Sequence, residues 1–303
     1  MLNMKIKGER DMNDSNKLGG IFLVAVSAFC YGFLPIFAKL AYAAGTSTYT
    51  LLFLRFATAT LVMFLIMYLK KVPLPSKKEM IAFFLLGSMG YAGQSFCYFV
   101  ALNYASSGTV SLLLYTYPAM VMLGSALLFK EKITTGKLIS LCFALLGAFV
   151  IIGGEFDTDV IGLVLAILSA VLYAVYILVS SRVVRPGMGT QSAAFIMFGA
   201  AVVYGVTVLL SGFEPPKEPV GFAAVILIAL VSTVGSFWSF LTGMEKTGPT
   251  IASLVSTLEP LVTVIASVLI LCEAVTRNLI LGGCLVMASL LVTLLPQKGK
   301  KSN

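Results

Sequence analysis

The sequence predicts an all-α integral membrane protein of ten transmembrane helices, arranged as two inverted five-helix repeats. Three observations carry this expectation. Charged residues make up only 11% of the chain, against about 25% in soluble globular proteins. So little charge cannot cover a 303-residue globule, and it excludes a disordered chain as well. The hydrophobic residues, 59% of the total, gather in runs as long as a bilayer core is thick. The chain also aligns with itself at a constant shift of 142 residues.

A helix of about 20 residues crosses the hydrocarbon. Ten runs approach or exceed that length: 18–42, 48–69, 80–102, 106–129, 136–153, 160–181, 190–211, 220–243, 249–271 and 277–295. The gaps hold helix breakers, namely Pro73 and Pro75, Gly153-Gly154, Pro186-Gly187, Pro215-Pro216 and Gly248-Pro249. None is long enough for a soluble catalytic domain. Lys17 ahead of the first run and Ala41-Tyr42-Ala43 behind it resemble a signal peptide, but the run is too long for one and reads as a retained span. Residues 1–17 read as a disordered cytoplasmic tail and 296–303 as a basic cytoplasmic tail.

Net charge is +8. In a soluble protein this would point to nucleic acid. Here the basic residues sit in short gaps between apolar runs, where they set topology and meet anionic lipid. No nucleic-acid partner is expected. With a cytoplasmic N-terminus, 17 of the 21 Lys and Arg fall on the cytoplasmic side and only Lys217 and Arg277 outside; Lys39 and Arg55 lie within spans. Both termini are therefore expected in the cytoplasm, with the chain in the inner (plasma) membrane.

The shift of 142 superposes Gly20, Ser27, Ala28 and Tyr31 on Gly162, Ser169, Ala170 and Tyr173. It also carries Ser111 to Ser253, Pro118 to Pro260 and Glu131 to Glu273. The halves, 18–155 and 156–295, each hold five spans; an odd number places them in opposite orientations. Two similar units facing opposite ways supply two pseudo-equivalent states, one open to each side. G-x6-S-A-x2-Y in each first span, a mid-span proline in each fourth span, closing L-F-K-E and L-C-E, and Leu54-Arg55-Phe56 together resemble the EamA-type branch of the drug/metabolite transporter superfamily. The resemblance covers 18–295 and implies export or exchange of small metabolites, often amino acids or related compounds.

Glu259 is the only acid well inside a span, and it precedes Pro260. An ionisable group at the bilayer centre costs about 2.5–3.5 kcal/mol. Glu259 can bind a substrate amine or carry a proton; equally, it can pair with Lys39, Arg55 or a tyrosine and brace the bundle. Pro118 and Pro260 read as hinges of the fourth and ninth spans. Gln94, Tyr115 and Trp238 join Glu259 as the expected lining of a midplane site between the halves. Lys39 and Arg55 are expected to snorkel to the outer interface. Glu131 and Glu273 are expected to cap the helices that follow them or pair with neighbouring bases. Ser140, Ala144 and Ala148, four residues apart, permit close helix contact.

No GxxxxGK[ST] loop, HExxH motif or histidine occurs, so neither ATP-driven transport nor histidine-based catalysis is expected. No catalytic residue, metal ligand or cofactor is expected, with proton coupling left open at Glu259. Expected partners are a metabolite and membrane lipid, with a monomer favoured over a dimer. A lipid flippase or scramblase of the same fold is the alternative reading, and a membrane-embedded enzyme a weaker one. A cysteine placed at Ser302 is expected to resist an impermeant thiol reagent applied to intact cells. Labelling from outside would overturn the topology.

Overall fold

The computed structural model describes residues 2–129, 135–152, 159–185, 187–247, 252, 255–256 and 258–294. Among the described residues the secondary structure is helical, without strands. The first half contains α1 (Leu2–Gly32), α2 (Leu34–Ala43), α3 (Thr48–Leu69), α4 (Lys77–Leu85), a π-helical turn (Leu86–Tyr91), α5 (Ala92–Ala101), α6 (Ser107–Leu114), α7 (Tyr117–Phe129) and α8 (Thr135–Ile152). The second contains α9 (Val160–Val183), α10 (Gly189–Ser211), α11 (Pro219–Ala229), a second π-helical turn (Leu230–Gly235), α12 (Ser236–Thr247), α13 (Leu258–Leu271) and α14 (Arg277–Leu294).

Seven stretches among the described residues are long and apolar enough to cross a membrane: Lys17–Ala43, Thr48–Leu69, Lys77–Ala101, Ser107–Leu128, Val160–Val183, Gly189–Ser211 and Pro219–Met244. Three further apolar helices, Leu138–Ile152, Leu258–Leu271 and Arg277–Val292, are shorter. The segment expected to be a disordered tail instead continues α1 back to Leu2. It has no proline and one glycine, Gly8. A helix already nucleated by an apolar run extends through such a sequence at low cost.

The main contacts between helices are exchanged when the halves are swapped. α1 packs on α12 as α9 packs on α5, and α1 packs on α13 as α9 packs on α7. The pairs α3 with α10 and α8 with α14 map onto themselves, and α6 packs on α13. Backbones approach closely where no side chain intervenes. A Cβ on Gly87 would collide with the Ile196 carbonyl, and one on Gly199 with the Phe84 carbonyl, fixing the α3–α10 pair against α4. A Cβ on Gly147 would lie 2.8 Å from the Gly282 carbonyl oxygen. One turn or two away, Ser140 donates to the Ser289 carbonyl at 2.9 Å, with Ala144 and Ala148 buried beside it. The small-residue spacing of α8 thus does pack, against α14.

The two π-helical turns interrupt α4–α5 and α11–α12 at nearly corresponding places. In the second, Thr233 and Ser236 donate to the carbonyls of Ile228 and Val231, five residues back, at 2.8 and 2.9 Å. Near the first, the Tyr204 hydroxyl donates to the Ala92 carbonyl at 2.6 Å. Carbonyls loosened from regular helix are thereby partnered without water.

One rim of the bundle is fastened across the halves. Glu273, between α13 and α14, accepts from the Lys39 ammonium at 2.8 Å and from the Ser107 backbone N–H at 2.9 and 3.0 Å. The Ser107 hydroxyl donates to it as well, at 3.0 Å. This corrects two expectations: Lys39 pairs rather than snorkels, and Glu273 caps α6 in the other half rather than the helix that follows it. The first N–H groups of α6 lack helical partners and carry the positive end of its dipole, so a carboxylate is drawn there. Glu131, the counterpart of Glu273, lies outside the described residues, as do Ser253 and the acidic loop residues Glu155 and Asp157. Asp159 caps α9, accepting from the Ile161 N–H at 2.9 Å. On the opposite rim Glu79 meets Arg185 at 3.3 Å.

Burial works against the charge on Glu273, but the bonds from Lys39 and Ser107 outweigh it and hold the carboxyl below its ordinary value. A depressed carboxyl stabilises the fold above the unfolded-state value, and that stability is lost as pH falls through the folded-state value. Glu273→Gln is therefore expected to lower thermal stability in detergent by about 1–3 kcal/mol near neutrality, with the gap to wild type closing in acid. A pH-independent gap would show that the charge is not what matters. Gly87→Val is expected to cost about 1–3 kcal/mol by forcing α4 from α10; an unchanged melting temperature would count against the close approach.

Candidate functional site

Two interrupted helices, of the first and fourth apolar stretches, meet α13 around Glu259. The fourth apolar stretch breaks at Tyr115–Thr116, and α7 restarts at Tyr117 with Pro118 as its second residue. Proline suits a first helical turn, where its missing N–H has no partner to lose. Pro260, directly after Glu259, is the third residue of α13; residue 257, before that helix, lies outside the described residues. The first apolar stretch breaks at Phe33, with Pro35 in the first turn of α2. Thr263, one turn after Glu259, donates to the Gly32 carbonyl exposed by that break, at 2.9 Å. A Cβ on Gly32 would lie 2.9 Å from the Glu259 carbonyl oxygen, so α1 and α13 touch at the acid itself.

Tyr115, at the end of α6, lies beside Glu259 and interacts with its carboxyl. Tyr31, Tyr98 and Tyr117 stand within electrostatic reach of the same carboxyl. From Tyr115 a chain of rings runs through Tyr117 (6.1 Å between centroids), Tyr173 (4.7 Å) and Tyr176 (5.9 Å) to Tyr91 and Phe56. It continues past Arg55 to Phe99 and Tyr98, and so back to the neighbourhood of Glu259. Aromatic rings that pair edge to face are held in place, and their hydroxyls and π-faces suit an amphipathic guest.

Arg55 is the feature that sequence reasoning misplaced. It does not snorkel; it is 3% exposed, its Nε donates to Thr233 at 3.0 Å, and its guanidinium lies 4.9 and 5.2 Å from the Phe56 and Phe99 ring centres. Thr233 belongs to the second π-helical turn, which turns its hydroxyl toward α3. A position counted along α3 gives depth but not direction. The usable signals were Phe56 beside the arginine and a polar pair, Ser232 and Thr233, in an otherwise apolar span.

Of the residues expected to line the site, Tyr115 and Glu259 are brought together. Gln94 is buried and donates to Ser169 at 3.1 Å, fastening α5 to α9. Its counterpart Ser236 offers its carbonyl to Ser27 at 2.7 Å, fastening α12 to α1. The repeated motif is thus spelled out: the serine ties the first helix of each half to the third helix of the other, the alanine packs, and the tyrosine reaches the site. Trp238 is 48% exposed and set apart from the pair, with the Lys70 ammonium 5.8 Å from its ring. Among the described residues no group of His, Cys, Asp or Glu suits a metal ion.

The model of the EamA-like transporter family matches this chain twice, over residues 18–153 and 160–295. A Bacillus subtilis relative named as the uncharacterized transporter YcbK is 26% identical over 285 residues, 87% of this chain and 88% of its own. The aromatic amino acid exporter YddG of Ancylobacter novellus is 29% identical over 168 residues, 53% of this chain and 57% of its own. The pseudopaline exporter CntI of Pseudomonas aeruginosa is 27% identical over 224 residues, 74% and 77% of the two chains. A crystal structure of 20% identical sequence shares the fold, with a TM-score of 0.62 over 92% of this chain and 96% of that one.

Proposed function

This chain belongs to the EamA-like transporter family, a multi-pass membrane family, and on that premise we propose that it is a secondary transporter exporting or exchanging small amine-bearing metabolites, such as amino acids or related compounds. The observation that carries the reading is Glu259, on α13 beside Tyr115 and against the break between α1 and α2. In this reading all ten apolar segments cross the plasma membrane, with the termini in the cytoplasm and the halves inverted about an axis in its plane. The two-way exchange of helix contacts supports it, because it gives the site two similar surroundings between which the molecule can alternate. Two relatives named as exporters support the direction of flux.

Glu259 serves as the amine's counter-ion and, on release, as the acceptor of a proton. Pro118 and Pro260 absorb the bending of their helices at the site. Gln94 keeps the paired helices in register around it, and Trp238 sits toward the rim near Lys70. No resident cofactor takes part in this scheme.

The direct test is efflux and uptake of a metabolite panel in inside-out vesicles, with and without a proton gradient. Glu259→Gln keeps size and hydrogen bonding but cannot change charge. It is expected to lower transport of amine-bearing substrates by about tenfold or more and to abolish the response to the gradient. A variant that still exports, and still responds in full, would make Glu259 a structural brace and end the coupling scheme.

A further inference from the structure

Resting on the transporter reading above, we infer that Arg55 is the subsite for a carboxylate of the transported molecule, set opposite the amine subsite at Glu259. The substrate class is then a zwitterion with an apolar or aromatic body, not a simple amine.

The inference begins with what Arg55 lacks. A buried arginine that serves only the fold is paired with a carboxylate, because a buried, uncompensated charge is costly. Arg55 is 3% exposed and makes no ion pair among the described residues. Its single hydrogen bond there is from Nε to Thr233. Guanidinium carries five N–H donors, so the four on the two Nη atoms remain for something else. With Nε occupied by Thr233, the open edge is the terminal one, whose parallel N–H groups match both oxygens of a carboxylate. Phe56 and Phe99 flank the group and hold its plane. They offset part of the missing pairing through their π-faces.

The nearest answer to an unpaired cation would be the unpaired anion in the same bundle, yet Arg55 and Glu259 form no ion pair. Arg55 is tethered to Thr233 instead, and Glu259 lies beside Tyr115. Tyr31 and Tyr98 interact electrostatically with both charges. Two opposite charges that do not pair with each other, in an aromatic setting, are complementary to a molecule that carries both. The Arg55 counterpart in the second half is Met197, and the Glu259 counterpart is Tyr117, so the pair belongs to the site and not to the duplicated scaffold.

The test uses three probes that differ at one end: L-phenylalanine, L-phenylalaninamide and phenethylamine. Counterflow in proteoliposomes and ligand-induced thermal stabilisation are measured on the purified full chain. Wild type is expected to favour phenylalanine over the other two by about tenfold or more, the worth of a charge-assisted pair. Arg55→Gln is expected to erase that preference by lowering phenylalanine transport far more than phenethylamine transport, and Arg55→Lys to keep part of it. A wild type that moves phenethylamine as well as phenylalanine overturns the subsite and leaves the transporter reading standing. Movement of none of the three overturns the aromatic zwitterion as substrate class and leaves the transporter reading to the metabolite panel. Equal loss of all three probes in Arg55→Gln, with a lowered melting temperature, makes Arg55 structural; if that variant does not fold, the wild-type preference and the Arg55→Lys result decide alone.

Discussion

Everything in this molecule is arranged around the absence of water from the bilayer core. A polar group there must find its partner inside the protein, because nothing outside will supply one. The interruptions at Phe33, at Tyr115–Thr116 and at the two π-helical turns each release backbone groups, and Thr263, Tyr204, Thr233 and Ser236 meet carbonyls at or beside them. The breaks are therefore built features, and they lie where the side chains of different helices converge. Among the described residues, Arg55 and Glu259 are charged groups inside the bundle that make no ion pair, in a setting where a charge normally has a partner of opposite sign.

The duplication explains which parts repeat and which do not. Ser27 and Ser169 bind the same helix positions in opposite halves, and Gly20 and Gly162 pack closely against equivalent helices. Tyr31 and Tyr173 face the same interior from the two sides. These residues define a frame, and a frame with two-fold character has two similar arrangements open to it. The charged residues break the symmetry, because a site that must recognise one molecule, with distinct ends, gains nothing from presenting two identical faces.

Much of the frame was legible in the sequence. Composition gave the membrane, run lengths gave the helices, and the repeated G-x6-S-A-x2-Y gave the relation between the halves. Pro118 marked a place where a helix restarts, since it falls in the first turn of α7. What was not legible depends on direction around a helix axis or on contacts far apart in the chain. Arg55 lies a few residues from a span end, and a linear count assigned it to the interface, whereas the face it occupies points inward. Glu273 was matched with its neighbours in sequence, but its partners are Lys39 and Ser107, on helices of the other half. The tail before the first span lacked apolar pattern and still continued the helix, because extension needs no burial of its own.

The two rims are fastened unequally, and this bears on the proposed cycle. At the rim holding Lys39, one carboxylate gathers an ammonium, a hydroxyl and a helix N-terminus, and the Glu273 side chain is 13% exposed. At the other, Glu79 and Arg185 form a pair whose arginine is 77% exposed. A solvent-exposed pair is worth about 0–1 kcal/mol, while several charge-assisted bonds sharing one partly buried acceptor are individually stronger and fail together. Parting the Lys39 rim would separate α2, α6 and the α13–α14 connection at once. A bound substrate that draws Glu259 and Arg55 toward itself would act on the same helices that the Glu273 cluster joins: α13 through Glu259, and α6 through Tyr115 at its end. The site and the Lys39 rim are thus joined through the same two helices, α13 and α6.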